Sequence, residues 1–155
     1  MTAPVIYVDA DACPVKAEIL KIADRAGVVT VMVANSGLRP SSDPLVRHVL
    51  VPQGADAADD WIVEHISDRD IVVTADIPLA HRAVGKGAQV LGPTGKPFTP
   101  DSIGMALAVR DLKQSLRESG EIAGHNPGFT QKDRLKFTEA LAQAVQRVKR
   151  QASRS

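Results

Sequence analysis

The chain has 155 residues, 44% of them hydrophobic and 3% aromatic, with a net charge of +1 and one cysteine. This is the size of one compact domain whose core is drawn mainly from Val, Ile, Leu and Ala, and it excludes wholesale disorder, an internal disulfide and a zinc site built on several thiolates. No apolar run reaches the length of a membrane span. The start, "MTAPVIYVDADA", lacks the charged head and apolar stretch of a signal peptide, so a cytoplasmic protein with no membrane partner is expected.

In chain order, "PVIYV" (4–8) is short, apolar and β-branched, as a buried strand would be. Pro14 suits a first helical position, where its missing N–H costs nothing. Val15, Ile19, Ile22, Ala23 and Ala26 then form a helical stripe that Gly27 closes as a left-handed cap. "VVTVMV" (28–33) and "RHVLV" (47–51) read as two more strands, separated by the turn-rich "ANSGLRPSSDP". Residues 56–66 read as a helix and "IVVT" (71–74) as a strand. A helix over 77–84 and a strand over 88–91 complete the alternation.

Two further helices follow. One has Thr99 as its cap and Pro100 in its first turn, with Met105, Val109, Leu112 and Leu116 on one face. The other opens with Thr130 and Asp133 at capping-box spacing. Between them "ESGEIAGHNPG" reads as a loop. Strands alternating with helices over short connections call for a mainly parallel sheet covered on both faces. The expectation is therefore a three-layer α/β/α domain over 1–150 with about five strands. Its core spans 4–92, a helical part spans 99–150, and 151–155 form a disordered tail.

Charge is unevenly spread. Residues 131–155 hold seven basic side chains and two acids, leaving +5 there and −4 in residues 1–130. A basic end can touch phosphates or simply form a solvated helix face.

The acids have a sharper pattern. In open α/β sheets, ligands collect beyond the carboxyl ends of the strands. Asp9 and Asp11 follow the first predicted strand, Asp56, Asp59 and Asp60 open the helix after the third, and Asp76 follows the fourth. Asp56 and Asp76 are also placed to cap helices, but a helix start needs one acid, and three groups at one edge exceed that need. Carboxylates crowded in this way repel, and a hard divalent cation relieves the repulsion. Mg²⁺ or Mn²⁺ held by a few carboxylates keeps room for water and a phosphate, the arrangement used to hydrolyse phosphodiesters.

The segments "VDADACPVK", "VAN", "GADAAD", "VTADIPLA" and "FTQKDRLKF" resemble, in order, the YaiI/YqxD family of uncharacterised bacterial proteins, from about residue 5 to 140. That family looks like a branch of the PIN-like nuclease superfamily, which gathers three or four acids around Mg²⁺ or Mn²⁺ in an α/β/α domain. The resemblance implies a metal-dependent nuclease acting on nucleic acid, with RNA preferred over DNA. It assigns the metal to Asp9, Asp56, Asp59 and Asp76, leaves Asp60 as an extra surface acid, and matches Thr74 to a hydroxyl beside the late acid, where it is a candidate substrate contact. Asp9, Asp11 and Asp76 are the catalytic candidates, with Asp11 open between ligand, supporting acceptor and helix cap.

Asn35 and Arg39, after the second strand, are candidate substrate contacts at the same edge, as are Lys96 in "GPTGKPFT" and Arg134. That glycine-containing segment does not have phosphate-loop spacing and reads as a turn. Cys13 has no histidine partner identifiable by spacing and reads as a packing residue; Trp61 reads as helix packing, and no histidine is assigned to metal. Two other readings stand. "VDADA" also resembles the start of haloacid-dehalogenase-type phosphatases, with Asp9 as nucleophile and Asp11 as acid/base, although no later Lys motif follows. A noncatalytic module binding RNA through its basic helix is the third.

Overall fold

The computed structural model describes residues 3–37, 41–54, 56–120 and 129–154. Six strands form one sheet: β1 (Val5–Asp9), β2 (Val29–Ala34), β3 (Val46–Leu50), β4 (Ile71–Val73), β5 (Gln89–Leu91) and β6 (Pro97–Phe98), in the order β3-β2-β1-β4-β5-β6. The first five run parallel, and only β6 is antiparallel to its neighbour. β6 is an addition to the expected five strands, and at two residues it is too short to leave a periodic signal. Parallel β2 and β3 are joined through residues 35–45, with no helix among the described part of that connection.

The helices are α1 (Lys16–Ala26), α2 (Ala57–His65), α3 (Ile77–Gly85), α4 (Pro100–Glu118) and α5 (Gln131–Arg154). Two-residue alternation along the strands sorts the core into two halves. Ile6, Val8, Ile71 and Val73 face α1 and α5, meeting Ile19, Phe137, Leu141 and Val148. Tyr7, Val31, Val33, Val72 and Val90 face α2, α3 and α4, meeting Ile62, Leu79 and Ile103. The three-layer α/β/α expectation is met. Trp61 packs as expected, stacked on His65 at 3.8 Å and tilted against Tyr7 at 6.1 Å.

Local signals place most helix ends. Gly27 closes α1 at φ 69° in the left-handed conformation. Thr99 caps α4, where its side chain accepts from the Ser102 amide. Thr130 and Asp133 exchange reciprocal hydrogen bonds at 3.0 and 3.1 Å where α5 begins. Pro14 departs from expectation. The chain leaves β1 through a 3-10 turn, Ala10–Ala12, and α1 begins at Lys16, so Pro14 lies in the approach to the helix rather than its first turn. At the other end α5 is helical through Arg154, past residue 150 where a disordered tail was expected.

Docking of α5 explains the basic end. Phe137, Leu141, Ala144, Val145 and Val148 are buried on one face. Lys149 donates to the Ala26 carbonyl at 2.8 Å and Arg147 to Gln89 at 3.2 Å, so part of the expected phosphate-touching charge holds the helix in place. The β5–β6 turn meets α5 at Gly95, which has φ 86°; a Cβ there would lie 2.7 Å from the Lys136 carbonyl oxygen. Both the backbone conformation and the close approach require glycine at this point.

Candidate functional site

Because β1 to β5 are parallel, their carboxyl ends share one edge. β1 is followed by β2 and β3 on one side, and the chain then returns to β4 and β5 on the other, so the strand order reverses between β1 and β4. This switch point opens a crevice where ligands collect in such sheets. Asp9 ends β1 and Thr74 follows β4, placing both at that crevice.

Three residues are linked there by hydrogen bonds. The Thr74 hydroxyl donates to Asp9 Oδ2 at 3.0 Å and accepts from the Asp76 amide at 3.0 Å. The Asp76 Oδ1 accepts from the Leu79 amide at 3.0 Å, capping α3. Thr74 is 2% exposed, which changes its assignment: it orients Asp9 from below and has no surface to offer a substrate. Asp76 is a cap, as the simpler reading held, but that bond uses one of its two oxygens.

Asp56 occupies the N-cap position of α2 with no side-chain cap hydrogen bond. Asp59, one turn on, is partly buried, whereas Asp60 is exposed and pairs with Arg82 at 2.8 Å as a surface acid. Asp59 reports the field of the whole group. Burial first, then the charges of Asp76, Asp9 and Asp56, push its carboxyl up from 3.8 to about 6, against a lowering by Arg82. Burial also raises Asp9, opposed by the Thr74 hydrogen bond and reinforced by Asp76 and Asp11. The fold therefore brings Asp76, Asp9 and Asp56 within electrostatic reach of Asp59, and Asp76 and Asp11 within reach of Asp9. Among the described residues, no group of three or more His, Cys, Asp or Glu side chains is arranged to hold a metal ion.

The shift at Asp59 has a measurable consequence in metal-free protein. The folded state binds this proton more tightly than the unfolded chain, so the group favours folding below about pH 4. That advantage is lost as pH rises through about 6, and above it the ionised carboxylate is a net cost. With the side chain partly exposed, screening reduces that cost to about 1 kcal/mol. Asp59→Asn is expected to raise Tm by about 3 °C near pH 7.5 and to leave it unchanged near pH 4, as calorimetric melts in EDTA at the two pH values will check.

Asp11 lies farther along the same edge with its carboxylate engaged. One oxygen accepts from the Asn35 amide at 2.9 Å and the other from the Ser36 hydroxyl at 3.1 Å. Gln53 then donates to the Asn35 carbonyl at 3.1 Å, joining the segments that follow β1, β2 and β3. Asp11 thus acts as a supporting acceptor, and Asn35 contributes its backbone to the tie. Gln53 in this tie was not identified in the sequence, which has no local signal for bonds between residues 18 to 25 apart.

Arg134 is used elsewhere. It donates to the Pro14 carbonyl at 2.8 Å and to Glu18 at 3.1 Å while lying over the Phe129 ring at 5.0 Å, so it joins α5 to α1 rather than standing free for a phosphate. Lys96 is exposed on the β5–β6 turn and lines a groove with Ala75 and Ile77, the neighbours of Asp76. Arg39 lies outside the described residues. Cys13 packs against the α1–α5 half of the core, and burial pushes its thiol up, as suits a packing residue.

Among the described residues, no helix is long and apolar enough to cross a membrane. No solved structure matches the chain. Its sequence matches the family model described as "Uncharacterized BCR, YaiI/YqxD family" over residues 7–147, a span that includes every acid of the edge. It is similar to a UPF0178 protein of Mesorhizobium japonicum, 61% identical over 153 residues and 99% of each chain. It is also similar to one of Agrobacterium fabrum, 59% identical over 147 residues, 95% of this chain and 96% of the relative. A third, from Rhizobium meliloti, is 61% identical over 145 residues, 94% of this chain and 99% of the relative. With the match running from β1 into the buried face of α5 at this level of identity, the chain belongs to the YaiI/YqxD family.

Proposed function

We propose that this protein is a Mg²⁺- or Mn²⁺-dependent hydrolase of phosphodiester bonds, a nuclease with RNA preferred over DNA. The observation that carries the reading is the gathering of Asp9, Asp56 and Asp76 about Asp59 at the switch point, where burial first and then those three charges push the Asp59 carboxyl up to about 6. The donors are all carboxylate oxygens, which suit a hard cation. Mg²⁺ commonly takes one or two protein carboxylates and keeps several waters, which leaves room for a substrate phosphate. The family resemblance to PIN-like nucleases, with acids gathered in an α/β/α domain, supports the same reading.

Asp9, Asp56, Asp59 and Asp76 would hold the ion directly or through its waters. When bound, it lowers the pKa of an attacking water and neutralises charge on the phosphate. Thr74 keeps Asp9 in one orientation, and the α3 cap does the same for Asp76, so the second oxygen of each points from a fixed carboxylate. Asp11 holds the β1 and β2 exits together and preserves the crevice. Below about pH 6, where Asp59 holds a proton, arrival of positive charge would release it, coupling binding to proton release.

Labelled RNA and DNA oligonucleotides incubated with Mn²⁺, Mg²⁺ or EDTA test the reading. Cleavage is expected with Mn²⁺, faster on RNA, and absent in EDTA. A trapped aspartyl-phosphate on Asp9 during phosphomonoester turnover would instead establish the haloacid-dehalogenase alternative, which the engagement of both Asp11 oxygens disfavours. RNA binding with no Mn²⁺ heat and no cleavage would establish the noncatalytic module.

A further inference from the structure

Much of the apolar face expected on α4 is left open among the described residues. Met105 is 70% exposed, Leu112 60% and Val109 40%, while the helix packs inward through Ile103 and Ala106. Beside this face runs an open groove of about 570 Å³. Its lining includes Ala75 and Ile77, which flank Asp76, and the apolar side chains of Phe98, Met105 and Val109. Lys96, Arg110, Lys113 and Arg117 line it, and no carboxylate does.

We infer that this groove is a track for single-stranded nucleic acid, leading a phosphate backbone to the acid edge. The inference rests on the hydrolase reading for the direction of the strand, but the binding surface stands on its own charge and shape. Arg110, Lys113 and Arg117 recur at helical spacing, so they form one row along α4 about 10 Å long. Arg110 is partly neutralised by Asp111 at 3.3 Å, whereas Lys96, Lys113 and Arg117 make no ion pair among the described residues. A row of cations beside an aromatic and aliphatic lining is what a single strand requires: backbone phosphates meet the charges, and unpaired bases lie on the apolar surface. Phe98, half-buried on β6, offers the ring. The charge also argues against a second copy of this chain as the occupant. A two-fold contact through this groove would set four cations against the same four.

The test is fluorescence anisotropy with a labelled twelve-nucleotide single strand, as RNA and as DNA, in EDTA so that no cleavage intervenes. The double variant Lys113→Glu/Arg117→Glu is expected to bind at least ten-fold more weakly. Its dependence of log K on log salt should be shallower by about 1.4, near 0.7 for each lost phosphate contact. Lys96→Glu should weaken binding in the same direction, and Lys21→Glu, on exposed α1 across the sheet, should not. Circular dichroism of each variant separates lost binding from lost fold. Wild-type affinity in both groove variants would overturn the groove even if Mn²⁺-dependent cleavage is found. Weakened binding by both, with no cleavage under any metal, would leave the groove standing and remove the hydrolase. An acidic peptide that binds the groove while neither nucleic acid does would assign it to a protein partner and overturn the proposal.

Discussion

Asp9→Asn is expected to abolish Mn²⁺-dependent cleavage, with a fall of about 10³-fold or more, while the protein folds at least as well as before. Asn matches Asp in shape, and its side-chain oxygen can still accept from Thr74, so the crevice is preserved. What disappears is one negative charge at the carboxylate that ends β1, next to the reversal in strand order. Loss of several kcal/mol of charge stabilisation at a reacting phosphate corresponds to a rate change of this size. Stability should move the other way in metal-free protein. Burial, with Asp76 and Asp11, already disfavours ionised Asp9, and removing its charge relieves Asp59 as well. Single-turnover cleavage and melting curves on the same preparation check both halves. Mn²⁺ should raise the Tm of the wild type and not of the variant. Cleavage equal to wild type in the Asp9→Asn preparation would sink the metal-centre assignment and point to a contaminating nuclease.

Phe137→Ala carries the largest expected cost to stability, about 3–5 kcal/mol. Phe137 is 0% exposed and is the aromatic anchor of α5 against α1 and the sheet. The space it leaves cannot readily collapse. The adjoining backbone at Lys136 and Phe137 is already pressed against the Gly95 turn, with the added-Cβ distances there at 2.7 to 3.0 Å. For a chain of this length the loss corresponds to a Tm lower by about 10 °C. Leu135, two residues away and 62% exposed, provides the contrast: its alanine variant should change stability by less than about 0.5 kcal/mol. Urea melts of the two variants with a shared m-value check the difference. A Phe137→Ala loss no larger than that of Leu135→Ala would mean that α5 is not integral to the core.

Some of the site was legible locally. Asp9 and Asp76 stand directly after β-branched runs, and Asp56 and Asp59 sit one helical turn apart, so parallel strands alone bring them to one edge. The uses of their neighbours were not legible. Thr74 was expected to touch substrate and instead lies under Asp9, because strand alternation and the packing of α3 turn its hydroxyl inward. Arg134 was a phosphate candidate by charge, yet Pro14 and Glu18, over 100 residues away in sequence, engage it. Asp11 changed from possible ligand to tie because its acceptors' partners, Asn35 and Ser36, belong to the next strand's exit.

The sequence by itself determined the alternating elements, the Thr99 cap, the Thr130–Asp133 capping box, the left-handed end of α1 and the presence of acids after successive strands. Each of these follows from residues within a few positions of one another, where hydrogen-bond reach and hydrophobic period act directly. Only the tertiary structure decided that the acids gather about Asp59, that α5 spends its basic side chains on docking, and that the apolar stripe of α4 faces solvent beside a row of cations. These depend on which faces meet across the sheet. The period of a helix reveals that it has an apolar face, but what covers that face is set by the packing of every other element.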